Sequence, residues 1–271
     1  MDCPSDIDSW IAQAKAGDIS WTQVAEKILA VQHPAVSEHQ PDTDRSRRCG
    51  FGEVIFGENK SSQAITSIAR KLLETQSEIL VTRCESDKLA SIAVSFAFSR
   101  YDSAARTLRL SDRPIASVNS QTSQDSLNES LNTVNSVMVV TAGSTDLPVA
   151  REALETLRWM GVSAQLLTDV GVAGPYRLLP HLNRLRNAVA IVVCAGMEGA
   201  LASVLGGLVS CPIIAVPTSV GYGFNLGGVT TLLSMMSSCA AGVTEVNIDG
   251  GFKGGYVAGL IAARNRIQHE L

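Results

Sequence analysis

The feature that most restricts this chain is a change of register at residue 137. From there "VMVVTAG" (137–143), "AQLLTDVG" (164–171), "AVAIVVCAG" (188–196) and "CPIIAVPTS" (211–219) are apolar on successive residues, with "VTEVNIDGG" (243–251) as a fifth run. A strand packed on one face alternates apolar and polar residues, whereas a strand buried on both faces does not. Helix-like segments such as "LPVAREALETLRWMG" and "PYRLLPHLNRLRN" lie between the runs. The pattern predicts an α/β, three-layer α-β-α domain with a doubly wound parallel sheet of the flavodoxin-like type. Glycine-containing turns follow nearly every run, and ligands bind at the carboxyl ends of such strands. The loops "TAGSTD", "CAGMEGA" and "VPTSVGYGFNLGG" are therefore expected to meet around one crevice.

The chain upstream is organised differently. Residues 5–31 carry two helical bursts of apolar positions separated by "GDIS", a stop followed by a fresh N-cap. A polar, proline-broken connector comes next. "EVIFG" (53–57) and "EILVTR" (78–83) read as strands around the helical "SSQAITSIARKLLETQ", a βαβ unit that "SIAVSFAF" (91–98) is expected to extend. Residues 117–136 are mostly Ser, Asn, Gln and Thr and cannot bury enough apolar area to order themselves. The expected organisation is N-terminal helices over 1–32, a smaller α/β N-terminal domain over 33–116, a polar linker over 117–136 and a catalytic domain over 137–271.

Composition excludes several functions. A length of 271 residues with 45% hydrophobic and 18% charged residues describes a folded protein of more than one domain. A net charge of −4, with no basic stripe bearing aromatics, argues against nucleic acid as a partner. There is no run of apolar residues long enough for a membrane span and no secretory signal at the start, so no membrane partner and a cytoplasmic location are expected. Six cysteines, at 3, 49, 84, 194, 211 and 239, share no metal-like spacing and read as thiols.

Three loops and one cysteine carry candidate chemistry. In "TAGSTD", Gly143 permits a tight turn, Ser144 and Thr145 bring hydroxyls and amides, and a helix start favours a phosphate. Asp146 suits a ribose hydroxyl or a magnesium ion beside that phosphate; the alternative is an ordinary helix cap. In "CAGMEGA", Gly196 and Met197 precede Glu198, which is either a first-turn acid or a site acid of tunable pKa. The long loop with Thr218, Ser219, Gly221, Tyr222 and Asn225 suits ligand wrapping, or else is a surface turn. Cys239, in "SMMSSCAAGV", taken alone is a small buried hydrophobe or a nucleophile. Cys194 and Cys211 read as core. No histidine is spaced to serve as base for Cys239.

The order of "TAGSTDLPVAREA", "CAGMEGALASVLGGL", "CPIIAVPTSVGYGFNLGG", "LLSMMSSCAAGV" and "VNIDGGFKGGYVAG" resembles the LarB family, and "RSRRCGFGEVIFGENKSSQAI" resembles that family's first domain. The C-terminal half is in turn similar to carboxyaminoimidazole ribonucleotide mutase. Against that mutase's GSxSD loop this chain has "AGSTD", with Thr145 for the second serine and Gly143 for the first. Against its "AGGAAH" stretch it has "AGMEGA", with Ala200 in place of the histidine, which disfavours the purine reaction.

The resemblance implies a mutase-like catalytic fold and carboxylation of the pyridinium ring of nicotinic acid adenine dinucleotide by carbon dioxide or bicarbonate. Cleavage of the phosphoanhydride would release AMP and pyridinium-3,5-biscarboxylic acid mononucleotide, the precursor of the nickel-pincer nucleotide cofactor of lactate racemase. It implies Cys239 as nucleophile and Glu198 as acid/base. It further implies magnesium near Asp146, with Arg48, Lys60 and Arg83 as candidates for the second phosphate, and a homo-oligomer, an octamer built by the C-terminal domain. The competing readings are an aminoimidazole ribonucleotide carboxylase or mutase, and a non-catalytic nucleotide-binding oligomerisation module.

Overall fold

The computed structural model describes residues 4–32, 39–115 and 136–269, and the chain divides into two compact units, Met1–Pro41 and Asp42–Leu271. The first unit is a pair of helices, α1 (Pro4–Ala16) and α2 (Trp21–Gln32). "GDIS" separates them as expected. Gly17 takes the left-handed φ of 87° that ends α1, and Ser20 and Gln23 form a reciprocal capping box: Ser20 Oγ accepts the Gln23 N–H and Gln23 Oε1 accepts the Ser20 N–H.

The second unit opens with α3 (Arg45–Cys49), β1 (Ile55–Phe56), α4 (Ser62–Leu73), β2 (Ile79–Thr82), α5 (Leu89–Ala93), β3 (Phe98–Asp102) and β4 (Thr107–Ser111). β1, α4 and β2 form the expected βαβ unit, with β1 parallel to β2. Ser61 caps α4 by accepting the Ala64 N–H, and α4 buries Ala64, Ile65, Ile68, Ala69 and Leu72 along one face. The sheet is completed in the order β1-β2-β4-β3, with the last two pairings antiparallel.

"SIAVSFAF" joins the sheet only at its last residue, Phe98, where β3 begins. Its start lies in α5 and its middle in a turn, because Ile92 is buried while Val94 is 85% exposed, a one-sided burial that suits a helical turn. The β3–β4 hairpin comes from the polar "FSRYDSAARTLRLS" instead. Its turn is made locally, by Asp102 Oδ1 accepting the N–H groups of Ala104 and Ala105. Of the linker expected over 117–136, only Ser136 falls within the described residues, buried at the entrance to the next strand.

The larger sheet follows: β5 (Val137–Thr141), α6 (Leu147–Trp159), β6 (Ala164–Leu167), α7 (Leu182–Arg186), β7 (Ala190–Ala195), α8 (Ala200–Gly206), β8 (Ile213–Pro217), α9 (Val229–Met236), β9 (Val243–Glu245) and α10 (Gly251–His269). All five strands are parallel, in the order β6-β5-β7-β8-β9. Val137 and Val139 face the core under α6 and α10, while Met138 and Val140 face the one under α7, α8 and α9. Two-sided covering is the cause of the unbroken apolar runs.

The small sheet lies on the outer side of α6. Arg109 of β4, 3% exposed, pairs with Glu78 and lies 3.9 Å from Glu155 of α6, and Trp159 Nε1 donates to the Glu78 carbonyl at 3.0 Å. Among the described residues no helix is long and apolar enough to cross a membrane.

Candidate functional site

The β5, β7 and β8 loops meet at the carboxyl edge of the sheet as the sequence predicts, and Asp146 is what joins them. It is 2% exposed. Its Oδ2 accepts the Gly143 N–H at 2.9 Å, its Oδ1 accepts the Thr218 hydroxyl at 2.7 Å, and the Gly196 N–H adds a third hydrogen bond. Burial pushes the carboxyl pKa up; the Thr218 hydroxyl and the Gly143 and Gly196 N–H groups oppose that, and the nearby Asp249 adds to it. Asp146 and Thr218 therefore form a buried bracket that ties the loops together.

The oxygens of Asp146 are taken by internal donors, and no group of three His, Cys, Asp or Glu side chains placed to hold an ion occurs among the described residues. Asp146 does not fit as a direct magnesium ligand.

Around this bracket the exposed groups are few. Ser144 and Thr145 stand exposed on the turn that leads into α6. Met197, Glu198 and Gly199 form a tight turn, with φ of 54° at Met197 and 66° at Gly199. The turn is held from both sides: Met197 N–H donates to the Val220 carbonyl at 3.0 Å and the Thr231 hydroxyl donates to the Met197 carbonyl. Gly196 is required by close approach, since a Cβ there would sit 2.3 Å from the Val220 carbonyl oxygen. Glu198 itself is exposed, a carboxylate presented to the crevice by a rigid turn.

In the β8 loop, Ser219, Gly221 and Tyr222 are exposed, Tyr222 at 82%. Asn225 is not. It is 7% exposed, its Nδ2 donates to the Ser219 carbonyl at 3.2 Å and its Oδ1 accepts the Thr231 hydroxyl at 3.0 Å. Its amide folds the loop from inside.

Cys239 is exposed, so packing is not its role. α8 begins next to Glu198 and runs back toward the opposite edge. Cys239 lies alongside the later part of that helix: Ser238 Oγ is 2.8 Å from Ser203 Oγ, Gly206 packs against Ala240, and the Gly242 carbonyl accepts the N–H of Ile213, the first residue of β8. At 1.5 Å per residue the seven residues of α8 span about 10 Å. Glu198 precedes the first turn of α8, and Cys239 follows Ser238, which packs on Ser203 in the middle of that helix. Cys194, Cys211 and Cys84 are buried or half-buried with thiol pKa values pushed up by burial, as inert core thiols are.

The three basic candidates separate. Arg83, directly after β2, reaches the crevice rim, where its Nη2 donates to the Asp249 carbonyl at 2.9 Å. Lys60 follows β1 at the same edge of the small sheet, beside Gly57, whose N–H donates to the Thr82 carbonyl. Arg48 is occupied by Asp42 and Asp44 in its own exposed segment and is brought to neither edge.

Two features of the edge were missed from sequence. Asp249 joins β9 to α10 with φ of 54°, and its carboxylate accepts the Ser219 N–H at 2.9 Å. The β6 loop is stitched to the β5 loop by Asp169 N–H to Thr141 Oγ1 and Gly171 N–H to the Ala142 carbonyl, and carries Arg177 paired to Asp169 at 2.8 Å. The signal was present: "TDVGVAGPYR" follows a strand with two glycines, like the loops that were singled out.

Comparison with known proteins divides the chain as its sheets do. Residues 35–112 match the LarB/PurE-like N-terminal domain and residues 136–270 match the AIR carboxylase family. An uncharacterized protein of Methanocaldococcus jannaschii is 37% identical over 264 residues, covering 94% of this chain and 95% of that protein. A crystal structure of a PurE2 variant from Treponema denticola aligns with 14% identity over 49% of this chain and 94% of its own, with a TM-score of 0.36.

Proposed function

Because the chain belongs to the LarB family, joining a LarB/PurE-like N-terminal domain to an AIR carboxylase domain, we propose that it is a cytoplasmic carboxylase and hydrolase of nicotinic acid adenine dinucleotide. It uses carbon dioxide or bicarbonate and yields pyridinium-3,5-biscarboxylic acid mononucleotide and AMP, the first step toward the nickel-pincer nucleotide. The observation that carries the reading is the exposure of both Cys239 and Glu198, at the motif positions where this chemistry needs a thiolate and a base.

The chemistry follows from the ring. A pyridinium carbon is electron-poor and does not attack carbon dioxide. Addition of the Cys239 thiolate to an adjacent ring carbon forms a C–S bond and moves an electron pair into the ring, leaving a dihydropyridine with a nucleophilic carbon. That carbon bonds to carbon dioxide. Glu198 then takes the ring proton from the new C–CO₂ centre, the C–S electrons leave with sulfur, and the aromatic cation returns. The cationic ring favours the nearby thiolate, so no histidine is required. Ser144 and Thr145, exposed where α6 starts, receive a phosphate, with Lys60 toward the second. Gly143 and Gly196 shape the crevice, while Met197, Ser219, Gly221 and Tyr222 line it. The magnesium expected with the diphosphate is carried in this reading by the phosphates.

In this reading the site is completed in a homo-oligomer built by the C-terminal domain, an octamer by the family resemblance. The supporting surface is apolar: Met197, Val204, Leu233 and Met236, on and beside α8 and α9, are 42%, 42%, 58% and 58% exposed. Exposed apolar residues grouped on one face mark an interface. A second copy seated there would supply its Cys239 to the crevice holding Glu198.

Incubation with the dinucleotide, bicarbonate and magnesium, followed by mass spectrometry, tests the reaction. Expected are AMP and the doubly carboxylated mononucleotide; absence of both from the wild type refutes it, and carboxylated aminoimidazole ribonucleotide formed instead establishes the purine reading. Mixing the Glu198→Ala and Cys239→Ala proteins after co-refolding tests the shared site. If each site draws the two residues from different copies, about a quarter of sites regain both. No recovery places both residues in one chain.

A further inference from the structure

A line of hydrogen bonds connects the small sheet to the turn that holds Glu198. It starts at Arg83, whose Nη2 donates to the Asp249 carbonyl at 2.9 Å. The Asp249 carboxylate accepts the Ser219 N–H at 2.9 Å, and the Ser219 carbonyl accepts Asn225 Nδ2 at 3.2 Å. Asn225 Oδ1 accepts the Thr231 hydroxyl at 3.0 Å, and the same hydroxyl lies against the carbonyl of Met197, the residue before Glu198. One hydroxyl proton serves either acceptor, so Thr231 ties the glycine loop and the Glu198 turn to each other.

The line is built to hold its shape. Asn225 and Thr231, its inner members, are 7% and 0% exposed, so water does not compete for their bonds. Arg83, Asp249 and Met197 have φ of 50°, 54° and 54°, a left-handed conformation that residues other than glycine rarely adopt and that persists only where the surroundings fix it. Arg83 pairs with no carboxylate among the described residues. Its guanidinium donates to a carbonyl of the other sheet's rim, a structural use beside its charge near Glu152.

We infer that Arg83 is a positioning residue for Glu198: through Asp249, Ser219, Asn225 and Thr231, the N-terminal sheet sets the turn from which the carboxylate reaches the ring proton. This rests on the acid/base role proposed for Glu198. It gives the smaller sheet a part in catalysis without requiring that it touch the substrate. Arg83 as a phosphate contact is the competing use of the same guanidinium, and the two differ in what they do to kinetics.

The test uses the full chain with Arg83→Ala, Arg83→Lys and Thr231→Val. Positioning predicts that kcat falls roughly 10-fold in Arg83→Ala while KM for the dinucleotide stays within about twofold. Lysine restores part of kcat. Thr231→Val, at the far end of the line, gives a similar loss, and the Arg83→Ala/Thr231→Val double variant loses less than the product of the two, because both act on one network. Hydrogen–deuterium exchange without substrate is expected to accelerate in peptides covering 194–200 and 218–231 of Arg83→Ala. A rise in KM with kcat unchanged, losses that multiply, or exchange that changes only around residues 83 and 249 overturns the inference. Should the wild type make no product, the reading of Glu198 falls, and the exchange experiment still decides whether Arg83 governs its turn.

Discussion

At the carboxyl edge of the parallel sheet, Asp146, Thr218 and Thr231 are 2%, 0% and 0% exposed, and their side chains all have internal partners. On α8 and α9, by contrast, Val204, Leu233 and Met236 are 42%, 58% and 58% exposed, and Cys239 after α9 is exposed too. The edge is complete within one chain, down to the buried carboxylate that ties three loops. The surface of α8 and α9 is apolar and open, and the thiol that the proposed chemistry requires follows it in the chain. A preorganised half and an unpartnered half in one domain are what a site shared between copies needs, since the rigid half fixes geometry and the apolar half supplies association.

The largest expected break in this comparison is Cys239→Ala. An exposed thiol contributes little to stability, so the melting curve should be unchanged while product formation falls by about 10³-fold or more, the loss typical of a deleted nucleophile. Asp146→Ala inverts the pattern. It strands the Thr218 hydroxyl and the Gly143 and Gly196 N–H groups without an acceptor, which should cost about 2–4 kcal/mol in urea unfolding. An Asp146→Ala protein as stable as the wild type would remove the bracket from the account.

Leu233→Glu addresses the open face. The side chain is 58% exposed, so the isolated chain should fold with an unchanged far-UV spectrum. Sedimentation should show smaller particles, and activity should fall by about 100-fold as the second copy's cysteine is lost to the crevice, an effect of about 2.7 kcal/mol. Full activity in a dissociated protein would mean that Cys239 and Glu198 meet within one chain after all.

The difference between the two regions also explains what could be read in advance. The parallel sheet was legible because burial on both faces leaves a mark on every strand residue, as Val137 to Val140 show. The three loops were legible because glycine and short polar residues are needed wherever a chain turns sharply at a strand end. Whether Thr218 or Asn225 faces a ligand or the interior was not, since a hydroxyl or amide has the same signature in either place. The β3–β4 hairpin was hidden for a related reason: its turn depends on Asp102 bonding to Ala104 and Ala105, and its strands carry Arg100 and Arg109, which pair with Glu155 of α6 and with Glu78.

The smallest effect tests how rigid the finished edge is against pH. Glu152 of α6 is 6% exposed and accepts the Phe252 N–H at 3.1 Å where α10 begins, close behind Arg83 and Asp249. Burial raises its carboxyl pKa; the Phe252 N–H, Arg83 and Arg106 oppose the rise and Asp249 adds to it. The folded chain therefore holds this proton more tightly than the unfolded chain. The resulting stability is present in full below the ordinary glutamate range and is lost as pH rises through the raised value. Glu152→Gln keeps an oxygen for the Phe252 N–H and cannot ionise, so it should be more stable than the wild type at neutral pH, by under about 1 kcal/mol, with the gap closing toward pH 4. Asp146 does not tolerate the same exchange, because it has donors on both oxygens and an amide nitrogen would face one of them. Parallel thermal melts of Glu152→Gln and Asp146→Asn across pH 4 to 8 should therefore move in opposite directions at neutral pH. If both are destabilising there, the two buried acids do the same work, and the raised pKa of Glu152 has no consequence for the fold.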